Sequence, residues 1–229
     1  MAGSAGRERK AARDVSGFEL VSHSDLGGCG DGMQVLREGD ALYVAHYGLS
    51  GMGTTVLDVA DPERPRIVEQ WPAPPGTHTC LPLPARRLVV VTDEQLRDGP
   101  RAEPRLVRVV DVSDPASPRV AGVCPEPEGD FAERPLRFGP HNLHENRPGS
   151  YRSERFVFVT YFSGGLVVYD LADPAAPRIA AHWQPETPPG QAAPQTNDVF
   201  VDADGFVWLT DRLTGGLYVL DPFVILSDQ

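Results

Sequence analysis

Asp111-Val112-Ser113-Asp114-Pro115-Ala116-Ser117-Pro118-Arg119 decides the fold, because the chain says the same thing elsewhere. It stands earlier as Asp58-Val59-Ala60-Asp61-Pro62-Glu63-Arg64-Pro65-Arg66. It stands later as Asp170-Leu171-Ala172-Asp173-Pro174-Ala175-Ala176-Pro177-Arg178, and a shortened copy, Asp221-Pro222, lies near the end. The copies are about 50–60 residues apart, the interval of a four-stranded blade with generous loops. The phrase itself is turn chemistry. Asp side chains accept from backbone N–H groups two residues on, and Pro presets φ while lacking the donor that a central strand needs.

Outward from each copy the pattern is again shared. Just before it stands an apolar run ending in Asp: Thr54 to Asp58, Leu106 to Asp111, Leu166 to Asp170, Leu217 to Asp221. One step earlier stands a run rich in β-branched and aromatic residues: Leu42–Ala45, Leu88–Val91, Phe156–Val159, Phe206–Leu209. Runs this short, bounded by turn formers, are strands rather than helices. The Arg after the second Pro opens an outermost strand, at Arg66, Arg119 and Arg178. An innermost strand precedes each unit, at Met33–Leu36, Cys80–Leu83, Leu143–Glu145 and Val199–Asp202. The expected fold is all-β: a β-propeller of four-stranded antiparallel blades, about four blades in this chain. Phe18-Glu-Leu-Val-Ser22 reads as a lone outermost strand that completes the last blade and closes the ring, hiding the sheet edges. Phe223–Leu226 is a weaker candidate for that place. Residues 1–16 read as a disordered tail and 17–229 as one propeller domain. The alternative, a β-sandwich with degenerate repeats, fits less well because sandwiches rarely repeat a turn block so faithfully.

Composition narrows the partners. Lys plus Arg number 21 against 32 for Asp plus Glu, a net charge of −11. That balance argues against nucleic acid, which needs a basic face to release counterions, and against an anionic membrane surface. Three cysteines, an odd number at wide spacing, make neither a disulfide framework nor a Cys-based zinc site. No apolar run follows the basic residues near the start and no stretch approaches a membrane span, so a cytoplasmic location is expected.

Antiparallel pairing brings the start of each innermost strand and the end of the next to one end of the blade. Aligned across the units, the starts are Asp31, His78, His141 and Asn197. The ends are His46, Asp93, Tyr161 and Asp211, with Glu94 and Arg212 one residue later. Every one of these is polar, or polar-tipped in the case of Tyr161, although the strands they flank are apolar. In one reading they form a metal site at a channel mouth. His46, His78, His141 and His144 are then the candidate ligands, Asp93 and Glu94 orient a ligand or take a proton, and Asp31, Arg137, Tyr161, Asn197, Asp211 and Arg212 face a small molecule. Imidazole mixed with carboxylate suits Zn, Cu or Fe. In the other reading the same groups cap strand ends. His141 and His144 would point to opposite faces of a regular strand, so both reach one ion only if His141 lies in the preceding loop. Arg134, Arg137, Arg147 and Arg152 flank Pro140-His-Asn-Leu-His-Glu145 and either suit a carboxylate or phosphate or, the better-fitting reading, belong to solvated loops with Arg–Glu pairs. Gln184 to Gln195 is Pro-rich and stands as a lid or a spacer. Cys80, near His78, is a candidate nucleophile.

The Val109–Arg119 phrase resembles the LVIVD-repeat family of β-propellers, over residues 18 to 221. The resemblance implies a propeller and little about activity. Members of that family usually carry more repeats, which implies three forms: a compact four-bladed ring, an open arc, or a half ring completed by a second copy as a homodimer. His78-Thr79-Cys80-Leu81-Pro82 is similar, more weakly, to the selenium-binding protein and methanethiol oxidase propellers, and this implies histidine-bound copper near a channel. The function expected is a histidine-centred, metal-binding small-molecule site, in a metal-assisted oxidoreductase or hydrolase. The rival is a non-catalytic propeller that binds a partner protein.

Overall fold

The computed structural model describes residues 17, 19–47, 53–72, 77–99, 103–114 and 117–221. Within them the chain is all-β, in four antiparallel sheets. Blade 1 is β1 (Gly32–Glu38), β2 (Ala41–His46), β3 (Thr54–Asp58) and β4 (Arg66–Trp71). Blade 2 is β5 (Thr77–Leu83), β6 (Leu88–Asp93), β7 (Val107–Asp111) and β8 (Arg119–Val123). Blade 3 contains β9 (Phe156–Thr160), β10 (Leu166–Asp170) and β11 (Arg178–Trp183); blade 4 contains β12 (Thr196–Val201), β13 (Val207–Asp211) and β14 (Leu217–Leu220). In each sheet, hydrogen-bonded neighbours are consecutive in sequence, the up-and-down order of a propeller blade.

The repeated phrase closes the hairpin between the third and fourth strands. Asp58, Asp111 and Asp170 each accept, through Oδ1, the backbone N–H two residues on, from Ala60, Ser113 and Ala172. The motif's last residue is explained by register. Asp58 lies opposite Arg66, Asp111 opposite Arg119 and Asp170 opposite Arg178, and each pair forms an ion pair across the strands. Asp170 also accepts from Arg155, and these partners hold its carboxyl down at about 2.

Three apolar clusters lie between successive blades. Ala45, Trp71, Cys80 and Val89 join blades 1 and 2. Leu81, Val90, Val109, Val157, Tyr161 and Tyr169 join blades 2 and 3. Phe158, Val168, Val201 and Leu209 join blades 3 and 4. The β-branched residues alternate with polar ones only where one face meets solvent; β6 and β9, in the middle of the molecule, are buried along their whole length.

Two expectations need correction. The innermost strand of blade 3, expected at Leu143–Glu145, is a single bridge from Leu143 to Val159. It is flanked by bonds from His141 N to Thr160 O and from His144 N to Phe158 O. Residues 19–25 form no strand and do not complete blade 4, which has three strands among the described residues. They lead instead onto the open face of blade 1, where Ser22 Oγ donates to Pro62 O and Gln70 Nε2 donates to Leu26 O. Phe18, the 1–16 tail and the Phe223–Leu226 strand lie outside the described residues.

Candidate functional site

A one-residue bulge recurs where the first strand of a blade begins. Pairing of β1 with β2 skips Met33, pairing of β5 with β6 skips His78, and pairing of β12 with β13 skips Asn197. A bulge leaves its extra residue out of the ladder and re-aims its side chain. In blade 3 the residue at this place is His141, between Pro140 and the Leu143 bridge. The register therefore corrects the sequence alignment for blade 1. The counterpart of His78 is Met33 rather than Asp31, which is exposed and gives its carbonyl to Tyr47 N.

Bulging turns His78 and His141 toward each other. Their rings stand 4.2 Å apart, and the Phe162 ring is 4.7 Å from that of His141. Glu94, one residue past β6 and nearly buried, completes the group. Its Oε2 is 3.7 Å from His78 Nε2 and its Oε1 is 3.6 Å from His141 Nε2. One ligand atom from each of the three residues lies within 4.8 Å of the others. Metal–ligand bonds of 2.0–2.2 Å in a tetrahedron put ligand atoms about 3.3–3.6 Å apart; the two His–Glu separations, each to a different Glu94 oxygen, lie at or just beyond that range.

The surroundings prepare these groups. His141 Nδ1 donates to the carbonyl of Asn197 at 2.7 Å, which fixes the tautomer and leaves Nε2 with its lone pair toward Glu94. Burial pushes His141 down to about 4, opposed by the Asn197 bond and helped by Arg212 and Arg137. Burial also pushes His78 down to about 4, helped by repulsion from His141. Both imidazoles are thus neutral at pH 7, the form that binds metal. Among the described residues His78 Nδ1 is buried with no hydrogen-bond partner, and Nε2 has only the distant Glu94. His78, its side chain 16% exposed, thus keeps Nε2 open on the side of Glu94. Glu94 is raised by burial, against the pull of Arg137, whose Nη1 donates to Oε1 at 2.9 Å.

The other candidate residues have other partners. His46 donates from Nδ1 to Gly30 O and accepts from Thr55 at Nε2, while His144 donates from Nε2 to Tyr151 O and accepts from Val201 N at Nδ1. Neither keeps a free lone pair, and His144 faces blade 4, so the ligand set narrows to His78 and His141 with Glu94 added. Asp93 is buried against Arg108. Tyr161 is in the core, its hydroxyl bonded to that of Tyr169. Asp211 caps a turn, accepting from Gln195, Leu213 and Gly215 backbone N–H groups. Asn197 serves through its main-chain oxygen, which also accepts from Thr160. Arg137 is at the group and Arg212 beside it, whereas Arg134 pairs with Asp130. The Pro-rich segment is tied at its end to Arg137, with which the Gln195 amide exchanges two hydrogen bonds. Burial pushes the Cys80 thiol up to about 12, so it is no nucleophile. Phe162 was missed by sequence reasoning: its place one residue after a strand end is shared with Glu94 and Arg212, but an aromatic residue there reads as core.

These features define an all-β protein built of propeller-type blades with a His–His–Glu group at one end. The LVIVD repeat model matches residues 106–125 and 153–183, on blades 2 and 3. Among solved structures, a structural-genomics protein from Lactobacillus plantarum is 14% identical, with a TM-score of 0.46 over 83% of this chain and 70% of that one. A chain of a Saccharomyces cerevisiae structure of Dbp5 bound to Nup159, Gle1, IP6 and ADP is 12% identical, with a TM-score of 0.33 over 84% of this chain and 60% of that one. No curated protein matches the chain. Among the described residues no helix is long and apolar enough to cross a membrane.

Proposed function

We propose that this blade end binds a divalent transition metal, Zn, Fe or Cu, through His78, His141 and Glu94, and serves a small molecule as a metal-assisted oxidoreductase or hydrolase. One observation carries the reading: the buried His141, the partly exposed His78 and the buried Glu94, from separate segments, meet within 4.8 Å. When bound, such an ion supplies Lewis-acid or redox chemistry at the positions that three protein ligands leave open. Arg137 holds the Glu94 carboxylate in place and balances its charge. The Asn197 carbonyl keeps the lone pair of His141 on the inner nitrogen. The Phe162 ring packs beside that of His141.

Elemental analysis of the purified protein tests this. Near-stoichiometric Zn, Fe or Cu, lost in His78→Ala, is expected. Metal-free protein whose melting temperature is the same with a chelator as with added Zn²⁺, Fe²⁺ or Cu²⁺ would overturn it. A second reading, assembly with a protein partner, draws on another observation. Phe200, Trp208 and Val219 form one cross-strand row on blade 4, each at least 38% exposed, and Val35 on the far face of blade 1 is 59% exposed. Rows of this kind suit an interface, and a second copy joining blade 4 to blade 1 would cover both. Light scattering decides it: a strict monomer at micromolar concentration removes the homodimer.

A further inference from the structure

The opposite end of the blades holds a cavity that the metal reading does not use. β5 runs from His78 at one end to Pro82 about 13 Å away at the other. There a space of about 430 Å³ is lined from three blades: β1 and its turn, the end of β5, and the loop that begins at Glu145. The volume suits a small ligand. In a chain of net charge −11 its wall carries three arginines, Arg37, Arg147 and Arg152, beside two carboxylates, Glu38 and Glu145.

These guanidinium groups stand on built supports. Asn146 exchanges two hydrogen bonds with Ser153 across the base of the loop, and Ser150 Oγ donates to Arg147 O inside it. Arg147 is held by Glu145, whose other oxygen accepts from Gln34 of blade 1 at 2.7 Å. Glu145 therefore has both oxygens engaged and its charge neutralised. The other two arginines are loosely matched. Arg152 is 3.8 Å from Glu38 and Arg37 is 3.9 Å from Asp40, beyond hydrogen-bond reach, and their side chains are more than half exposed. Arg37 uses one donor, Nε, on Gly39 O. Planar forks with unspent donors, converging on one cavity from two blades, match the oxygens of a polyanion.

We propose that this cavity is a second binding site, for a small polyanion bearing several carboxylate or phosphate groups, which Arg37 of blade 1 and Arg147 and Arg152 of blade 3 grip together. Such a ligand bridges blades 1 and 3, adding to the Gln34–Glu145 bond between them, so it favours the assembled array over the unfolded chain.

Thermal melts and calorimetry at low ionic strength, with citrate and pyrophosphate as probes, test this in the full chain. A rise in melting temperature of about 5 °C or more is expected at saturation. Affinity should weaken tenfold or more in Arg37→Gln and in Arg152→Gln, and should be unchanged in His78→Ala. A response to citrate alone assigns the site to carboxylates, and to pyrophosphate alone to phosphates. No response to either at about 10 mM overturns the proposal. So does binding that the arginine variants leave intact, or binding that His78→Ala abolishes.

Discussion

Replacing His78 and His141 by glutamine should flatten the acid limb of stability in metal-free protein. Both histidines are neutral in the native state down to about pH 4, whereas in the unfolded chain each takes a proton at its ordinary value of 6.5. Between those limits the unfolded state binds more protons, so stability is full above about 6.5 and falls as pH drops toward 4. Each histidine then withholds about 3 kcal/mol of stability in acid. Together they withhold less than twice that, since part of the depression at His78 is repulsion from a protonated His141.

At about 2–4 °C per kcal/mol for a chain of this size, one histidine lowers the melting temperature by about 6–12 °C between pH 7 and pH 4. Glutamine keeps much of the shape and titrates nowhere, so the difference between parent and double variant isolates the pair. Glu94 acts in the opposite sense, because burial raises its carboxyl, but it is common to both proteins. Asp170, held at about 2, acts at lower pH. Melts and urea titrations from pH 7 to pH 4 decide the matter. Equal acid slopes in parent and double variant would refute the burial argument, as would an NMR titration placing either imidazole near 6.5.

Arg108→Ala should destabilise by about 3–5 kcal/mol in urea, because it strands Asp93, which is 1% exposed, without its counter-charge. In Gly122→Ala a Cβ would stand 2.2 Å from the carbonyl oxygen of Pro174, backbone of the next blade's turn, so a loss of about 1–3 kcal/mol is expected by chemical denaturation. Tyr161→Phe removes a core hydroxyl bond, costing about 1 kcal/mol, and should leave metal content untouched; metal loss would return Tyr161 to the mouth. Asn197→Ala keeps the carbonyl that orients His141, so metal affinity should stay within about threefold in a competition titration. A tenfold loss would show that the side chain matters.

Much of the fold was legible because its signals are local. The Asp-x-x-Asp-Pro-x-x-Pro-Arg phrase carries its own capping bonds and its own cross-strand ion pair, so three hairpins could be read without tertiary knowledge. The placement of residues 19–25 was not legible. An apolar phrase such as Glu19-Leu-Val reads as a strand, but whether it pairs depends on where blade 4 ends in space. The site was half legible for the same reason. Polar residues at strand ends flagged the right region, yet polarity alone does not separate His141, with Nε2 left open, from His46, whose nitrogens are both bonded to nearby backbone and hydroxyl groups.

What places the group between blades 2 and 3 is the bulge. A strand with strict two-residue alternation would send His78 and Thr79 to opposite faces and keep both in the ladder. The extra residue frees one side chain per blade to lean over the blade end, and the sequence fills the freed places unequally: Met33, His78, His141 and Asn197. Only the middle two can bind a metal through a side-chain nitrogen. The fourth acts on its neighbour through the main chain, and the first, Met33, is exposed. The strand-end neighbours follow the same asymmetry, since Glu94 gives the proposed carboxylate ligand, Phe162 an aromatic ring beside His141 and Arg212 a positive charge that favours neutral imidazole. A repeated backbone device thus yields a lopsided site, and the chemistry sits where two adjacent copies both present imidazole.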